Sequence, residues 1–99
     1  MSRSELVKSL LQRYGNEFFW KENSYRGLFR ALDQNVQEGR CYRLIASADF
    51  LPMIGDEVRD EKYCYTILRV DGVFLSAKRL YTWCIVEQKD GWERSENDT

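Results

Sequence analysis

Asn23-Ser24-Tyr25-Arg26-Gly27-Leu28-Phe29-Arg30-Ala31-Leu32-Asp33-Gln34-Asn35-Val36 is the stretch on which the fold turns. Tyr25, Leu28, Phe29, Leu32 and Val36 recur at helical spacing, Asn23 or Ser24 offers an N-cap and Gly39 a stop, so the pattern predicts a helix over residues 24–38. Gly27 falls in its first turn, where glycine costs up to about 1 kcal/mol relative to alanine, and it marks close packing or a frayed start. A helix here leaves the sheet to the residues that follow.

Upstream, Ser2 and Glu5 have the spacing of a capping box, and Leu6, Val7, Leu10, Leu11 and Tyr14 form one apolar stripe. A first helix over residues 3–14 follows, with Gly15 placed to end it in the left-handed conformation. Between the two helices, Phe18, Phe19 and Trp20 cannot all face one side of a helix or a strand, so the odd one needs a cover.

Downstream, the apolar period changes from 3.6 to 2. Residues 41–48 read as a strand, with Tyr42, Leu44 and Ala46 on one face and Cys41, Arg43 and Ile45 on the other. Residues 51–58 read as a turn. Residues 62–70 read as the clearest strand, Asp71-Gly72 as a type I′ hairpin turn, and residues 80–88 as the last strand, with a break or bulge over Ser76 to Arg79. The best strands carry apolar residues on both faces, so barrel curvature, the Phe18-Phe19-Trp20 segment or another chain must close the second face. The expected fold is α+β: two N-terminal amphipathic helices, then a three- to five-stranded antiparallel sheet, strongly twisted or rolled into a small, partly open barrel. The phrase Leu51-Pro52-x-x-Gly55-Asp56-x-Val58 followed by Tyr63-x-Tyr65-x-Ile67 resembles strand openings in many small β-barrels.

The chain of 99 residues fits one domain over residues 1–92, with a charged, frayed tail over residues 93–99. There is no histidine, which removes Ser-His-Asp and Cys-His catalysis, imidazole proton shuttles and histidine metal ligation. Cys41, Cys64 and Cys84 are few, odd in number and form no CxxC pair, so they read as reduced core thiols in a cytoplasmic protein. Arg3, Glu5, Lys8, Arg13 and Glu17 interrupt the first twenty residues, so neither a signal peptide nor a membrane span is expected. The glycines stand singly, which excludes P-loop and Rossmann phosphate cradles, and no cofactor or metal site is expected.

Three functional readings remain. Asp49, Asp56, Glu57, Asp60 and Glu61 form an acidic cluster, and Asp60-Glu61-Lys62 resembles the D/E-x-K spacing of metal-dependent nucleases, so Asp56, Asp60 and Glu61 define a carboxylate-enzyme alternative. A solvated turn explains the same residues. Residues 1–45 carry eight Lys and Arg against five Asp and Glu, and residues 46–99 seven against eleven, so the net charge of −1 sums a basic half and an acidic half. In the basic half, Arg26, Arg30, Arg40 and Arg43 lie beside Tyr25, Phe29 and Tyr42, a pattern that serves single-stranded nucleic-acid or RNA binding, or a solvated helix flank.

The leading expectation rests on fourteen aromatic residues, more than a core of this size hides. It is a non-enzymatic interaction protein that binds itself or a protein partner through Trp20, Tyr25, Tyr65, Tyr81 and Trp83. At the level of composition this profile is similar to that of immunity proteins, inhibitors and adaptor subunits from mobile elements.

Overall fold

A computed structural model describes residues 2–32 and 41–89. The first helix, α1 (Arg3–Tyr14), starts as its sequence demands: Ser2 accepts from the Glu5 backbone N–H at 3.1 Å and Glu5 accepts from the Ser2 N–H at 3.2 Å. Gly15 ends it, but in an extended conformation (φ −83°) rather than the left-handed one. Its glycine is demanded by crowding, since a Cβ would lie 2.5 Å from the Leu11 carbonyl and 3.1 Å from that of Gly27.

No second helix follows among the described residues. Residues 16–31 form a hairpin, β1 (Asn16–Trp20) and β2 (Asn23–Ala31), and the remainder of the expected helix, residues 33–38, lies outside the described residues. The reason is visible at Gly27. Tyr25, Gly27 and Phe29 alternate toward the interior, and a Cβ at Gly27 would meet Leu44 Cδ1 at 2.7 Å, Phe18 Cε1 at 2.9 Å and the Ile45 carbonyl at 2.9 Å. Glycine is there to let Phe18 and Leu44 close over the strand. The alternation also settles the three aromatics: Phe18 is buried, Trp20 packs against the core, and Phe19 points outward.

The chain continues through β3 (Cys41–Ser47), β4 (Glu57–Arg59), β5 (Cys64–Leu75) and β6 (Lys78–Lys89). These six strands form a closed antiparallel barrel in the order β1-β2-β3-β6-β5-β4, sealed where Phe19 pairs with Arg59 and Trp20 with Val58. This corrects the expected three to five strands after two helices: full closure takes up strand edges that an open sheet would expose. Within residues 51–58, Glu57 and Val58 belong to a strand rather than a turn.

Asp71-Gly72 is not a turn either. β5 runs straight through it, and the reversal falls at Ser76-Ala77, both at positive φ (54° and 69°), as a type I′ turn requires. The local turn signal loses to cross-strand pairing that continues from Val70–Cys84 through Asp71–Trp83 to Gly72–Thr82. Register shifts between Ile67 and Arg69 and between Val73 and Phe74 take up the extra length.

The core consists of Phe18, Leu44, Ala46, Phe50, Val58, Tyr65, Ile67, Cys84 and Val86. Buried Thr82 accepts from Arg79 Nη1 at 3.1 Å. Helix α1 packs against β2, β3 and β6 with Leu11 buried. No helix among the described residues is long and apolar enough to cross a membrane. Trp92 and residues 93–99 lie outside the described residues.

Candidate interaction face

The barrel sorts the five singled-out aromatics into two groups. Trp20 lies edge-on to Phe50 at 5.3 Å and donates its indole N–H to Asp56 Oδ2 at 3.1 Å. Tyr25 stacks on Phe18 at 5.7 Å. Tyr65 is buried and donates to Asp60 Oδ2 at 3.3 Å; burial first, and then the Asp60 charge, push its phenol well above the ordinary tyrosine range. These three belong to the barrel wall and interior. Tyr81 and Trp83 alternate with buried Thr82 and Cys84 and therefore point outward, half-buried.

The arginines divide as well. Arg26 is a clasp for the end of α1: Nε donates to the Leu11 carbonyl at 3.3 Å, and Nη2 to those of Gln12 (3.3 Å) and Gly15 (2.5 Å). The Leu11 carbonyl also accepts from the Gly15 N–H at 2.8 Å, and the clasp supplies a partner to the Gln12 carbonyl, one of those a helix end leaves without an intrahelical bond. Arg30 and Arg43 sit directly opposite each other on β2 and β3, both exposed. Arg40 lies outside the described residues.

Outward residues of four neighbouring strands line up in rows. One row runs Arg30, Arg43, Ile85, Arg69; the next runs Leu28, Ile45, Trp83, Asp71. The Trp83 ring lies between guanidiniums from the strands on either side, Arg43 at 5.8 Å and Arg69 at 5.5 Å from its centroid. Arg69 pairs with Asp71 at 3.0 Å, while neither Arg30 nor Arg43 makes an ion pair among the described residues. A depression of about 270 Å³ is lined by Arg43, Ile45, Tyr81 and Trp83. Arg69 was not singled out in the sequence, because the register shift before it sets its alignment with Ile85 and cannot be read from alternation alone.

The acidic residues do not converge. Asp56 is occupied by Trp20 and by the Met53 N–H (3.0 Å), Asp60 by the N–H groups of Lys62 and Tyr63 (each 2.8 Å) and by Tyr65, and Glu57 by Lys89 (2.8 Å). Glu61 is exposed, and Asp49 accepts from the Ser47 hydroxyl. Among the described residues no group of three or more His, Cys, Asp or Glu could hold a metal ion.

The three thiols are free. Cys84 is pushed up to about 12, chiefly by burial, and Cys64 is raised by burial and by the neighbouring Glu57 carboxylate. Both stay protonated at neutral pH, the unreactive form. A groove of about 820 Å³ separates α1 from the barrel, lined among others by Lys8, Leu11, Arg26, Asp49, Arg79 and Leu80. Its charges are mixed, and its central arginine is engaged by the α1 carbonyls.

No protein-family model matches this chain, and neither a curated protein nor a solved structure matches it.

Proposed function

We propose that this protein is a non-catalytic adaptor that binds an acidic protein surface through the outer face of β2, β3, β6 and β5. One observation carries this reading: Arg30 and Arg43 face each other across a strand pair, without a carboxylate partner among the described residues, beside a half-buried tryptophan. Like charges directly opposite in a sheet are destabilising, and a partner's carboxylates relieve that cost. Trp83, Tyr81 and Ile45 supply the apolar anchor around which such charges become effective. The three free thiols accord with a reducing, cytoplasmic setting.

The same arginines support single-stranded nucleic acid less well. Base stacking needs an open ring face, and guanidiniums from both flanking strands lie near the Trp83 ring. Selection of a random peptide display library on the immobilised wild-type protein, with counter-screening on Arg43→Glu, separates the readings. Peptides rich in Asp and Glu should be enriched and should lose binding to the variant. Absence of acidic enrichment, together with salt-sensitive binding of an oligothymidine strand, overturns the adaptor reading in favour of nucleic acid.

A further inference from the structure

We infer that the occupant of this face is a second copy of the same chain, which presents the segment between β3 and β4 and β4 itself, so that copies join head to tail. The inference rests on the adaptor reading and names its partner.

The segment is an anomaly in so small a protein. Phe50 and Pro52 turn inward and are buried, which forces Leu51 and Met53 outward; with Ile54 they are 55%, 69% and 69% exposed. The loop is nonetheless held in place. Asp56 accepts from the Met53 N–H at 3.0 Å, and the Gly55 N–H donates to the Ile67 carbonyl at 2.8 Å. Gly55 itself stands at φ +96°, a conformation that favours glycine. An apolar knuckle fixed in place loses little freedom when it docks, and that favours association.

Its charge is complementary to the face. From Asp49 to Lys62 the chain carries Asp49, Asp56, Glu57, Asp60 and Glu61 against Arg59 and Lys62, and Glu57 is paired with Lys89. The face presents a depression lined by Arg43, Ile45, Tyr81 and Trp83, with Arg30 opposite Arg43 on β2 and Arg69, paired with Asp71, beside the Trp83 ring. One surface sets exposed apolar side chains in an acidic stretch of chain, and the other sets Trp83 beside the Arg43 and Arg69 guanidiniums.

The knuckle is not satisfied within its own chain. It lies beside β5, where the Gly55 N–H donates to the Ile67 carbonyl and the Ile67 N–H to the Asp56 carbonyl, yet Leu51, Met53 and Ile54 stay exposed and none of them lines the depression at Trp83. Each copy therefore offers one knuckle and one face, and the contact is heterologous. Such contacts propagate until a ring closes or a filament forms.

Two blocked variants test this by native mass spectrometry and sedimentation velocity. Trp83→Ala with Arg43→Glu blocks the face; Met53→Asp with Ile54→Asp blocks the knuckle. The wild-type protein should form species of several copies whose population falls with added salt. Each blocked variant should be monomeric, with association weakened at least tenfold. An equimolar mixture should give dimers and nothing larger, because one intact face then meets one intact knuckle. Circular dichroism and urea midpoints check that the variants fold, and Arg43→Glu alone, at an exposed position, repeats the face test if the double variant does not.

A wild-type protein that stays monomeric at the highest concentration overturns the inference, as does a mixture that stays monomeric or a blocked variant that still assembles. If the wild type is monomeric while acidic peptides bind it and fail to bind Arg43→Glu, the second-copy inference falls and the adaptor reading stands.

Discussion

Inside the barrel aromatic rings meet one another, whereas on the outer side of β6 a ring meets guanidiniums. Phe18 contacts Tyr25, Phe29 and Phe50 at 5.7, 5.8 and 5.1 Å, and Tyr65 contacts Phe29 at 5.0 Å and Tyr42 at 5.7 Å. Two of the phenols there reach acceptors, Tyr42 to Gln88 at 3.2 Å and Tyr65 to Asp60 at 3.3 Å. Among the described residues no buried side-chain nitrogen or oxygen lacks a partner. The outer face contains similar residue types in an unfinished state: Trp83 and Tyr81 remain half-buried, and Arg30 opposes Arg43. Aromatic residues thus serve two ends here, and the side of the strand decides which.

Truncation inside the barrel gives the largest effect. Phe50→Ala should lower stability by about 3–5 kcal/mol in urea unfolding, the usual range for a buried phenylalanine. A loss below about 1 kcal/mol would mean the interior tolerates cavities like a surface. Next, Trp83→Ala should weaken association by about 2 kcal/mol, roughly 30-fold, while shifting stability by less than about 1 kcal/mol. Equal damage to folding and to association would erase the distinction between the two groups.

A smaller effect comes from pH. The Cys84 thiol keeps its proton in the barrel to about 12, whereas its ordinary value is 9.0. Its contribution to stability is therefore complete below about pH 9, and it falls by about 1.4 kcal/mol per pH unit above that, as the unfolded chain ionises and the folded one does not. Urea midpoints at about pH 8 and pH 10.5 should show this loss, and Cys84→Val should reduce it, leaving the part contributed by Cys64, Tyr65 and Lys89, which folding also raises. The smallest effect is a gain. Arg30→Glu converts a like-charge pair into an opposite-charge one and should raise stability by about 0.2–1 kcal/mol in thermal unfolding while weakening association. Unchanged association in that variant would place the interaction elsewhere.

How far these features could be read in advance depended on whether their causes were local. The capping box of Ser2 and Glu5 is local, as is the apolar stripe through Val7 and Leu11, and α1 was legible to the residue. The alternation of β5 and β6 is local too, and both strands were found, though longer than expected. β1 and β2 were not, because Tyr25, Leu28, Phe29 and Leu32 fit a period of 3.6 while Tyr25, Gly27 and Phe29 fit a period of 2. What decides between them is the approach of Leu44 and Phe18 to Gly27, a contact between segments that no local pattern brings together. The same limit applies to the site. Alternation along β3 and β6 places Arg43, Tyr81 and Trp83 on the outward faces, but separating Trp20 and Tyr65 from them required knowing how the barrel closes. Arg26 resembled a phosphate contact until the end of α1 was seen to lie beneath it.

The seal between β1 and β4 has a kinetic consequence. Two residue pairs hold it, against seven between β3 and β6, and the Trp20 indole bond to Asp56 bridges the same join. Its two sides are roughly forty residues apart along the chain, so the loop entropy of closing it is incurred late, after the hairpins have formed. The protein is then expected to pass through a curled, unsealed sheet on its way to the barrel, and to revisit that state when it opens. Backbone amides at Phe19, Trp20, Val58 and Arg59 should exchange with solvent well before those of β3 and β6, which makes this join the first place a protease or a misfolded neighbour meets the interior.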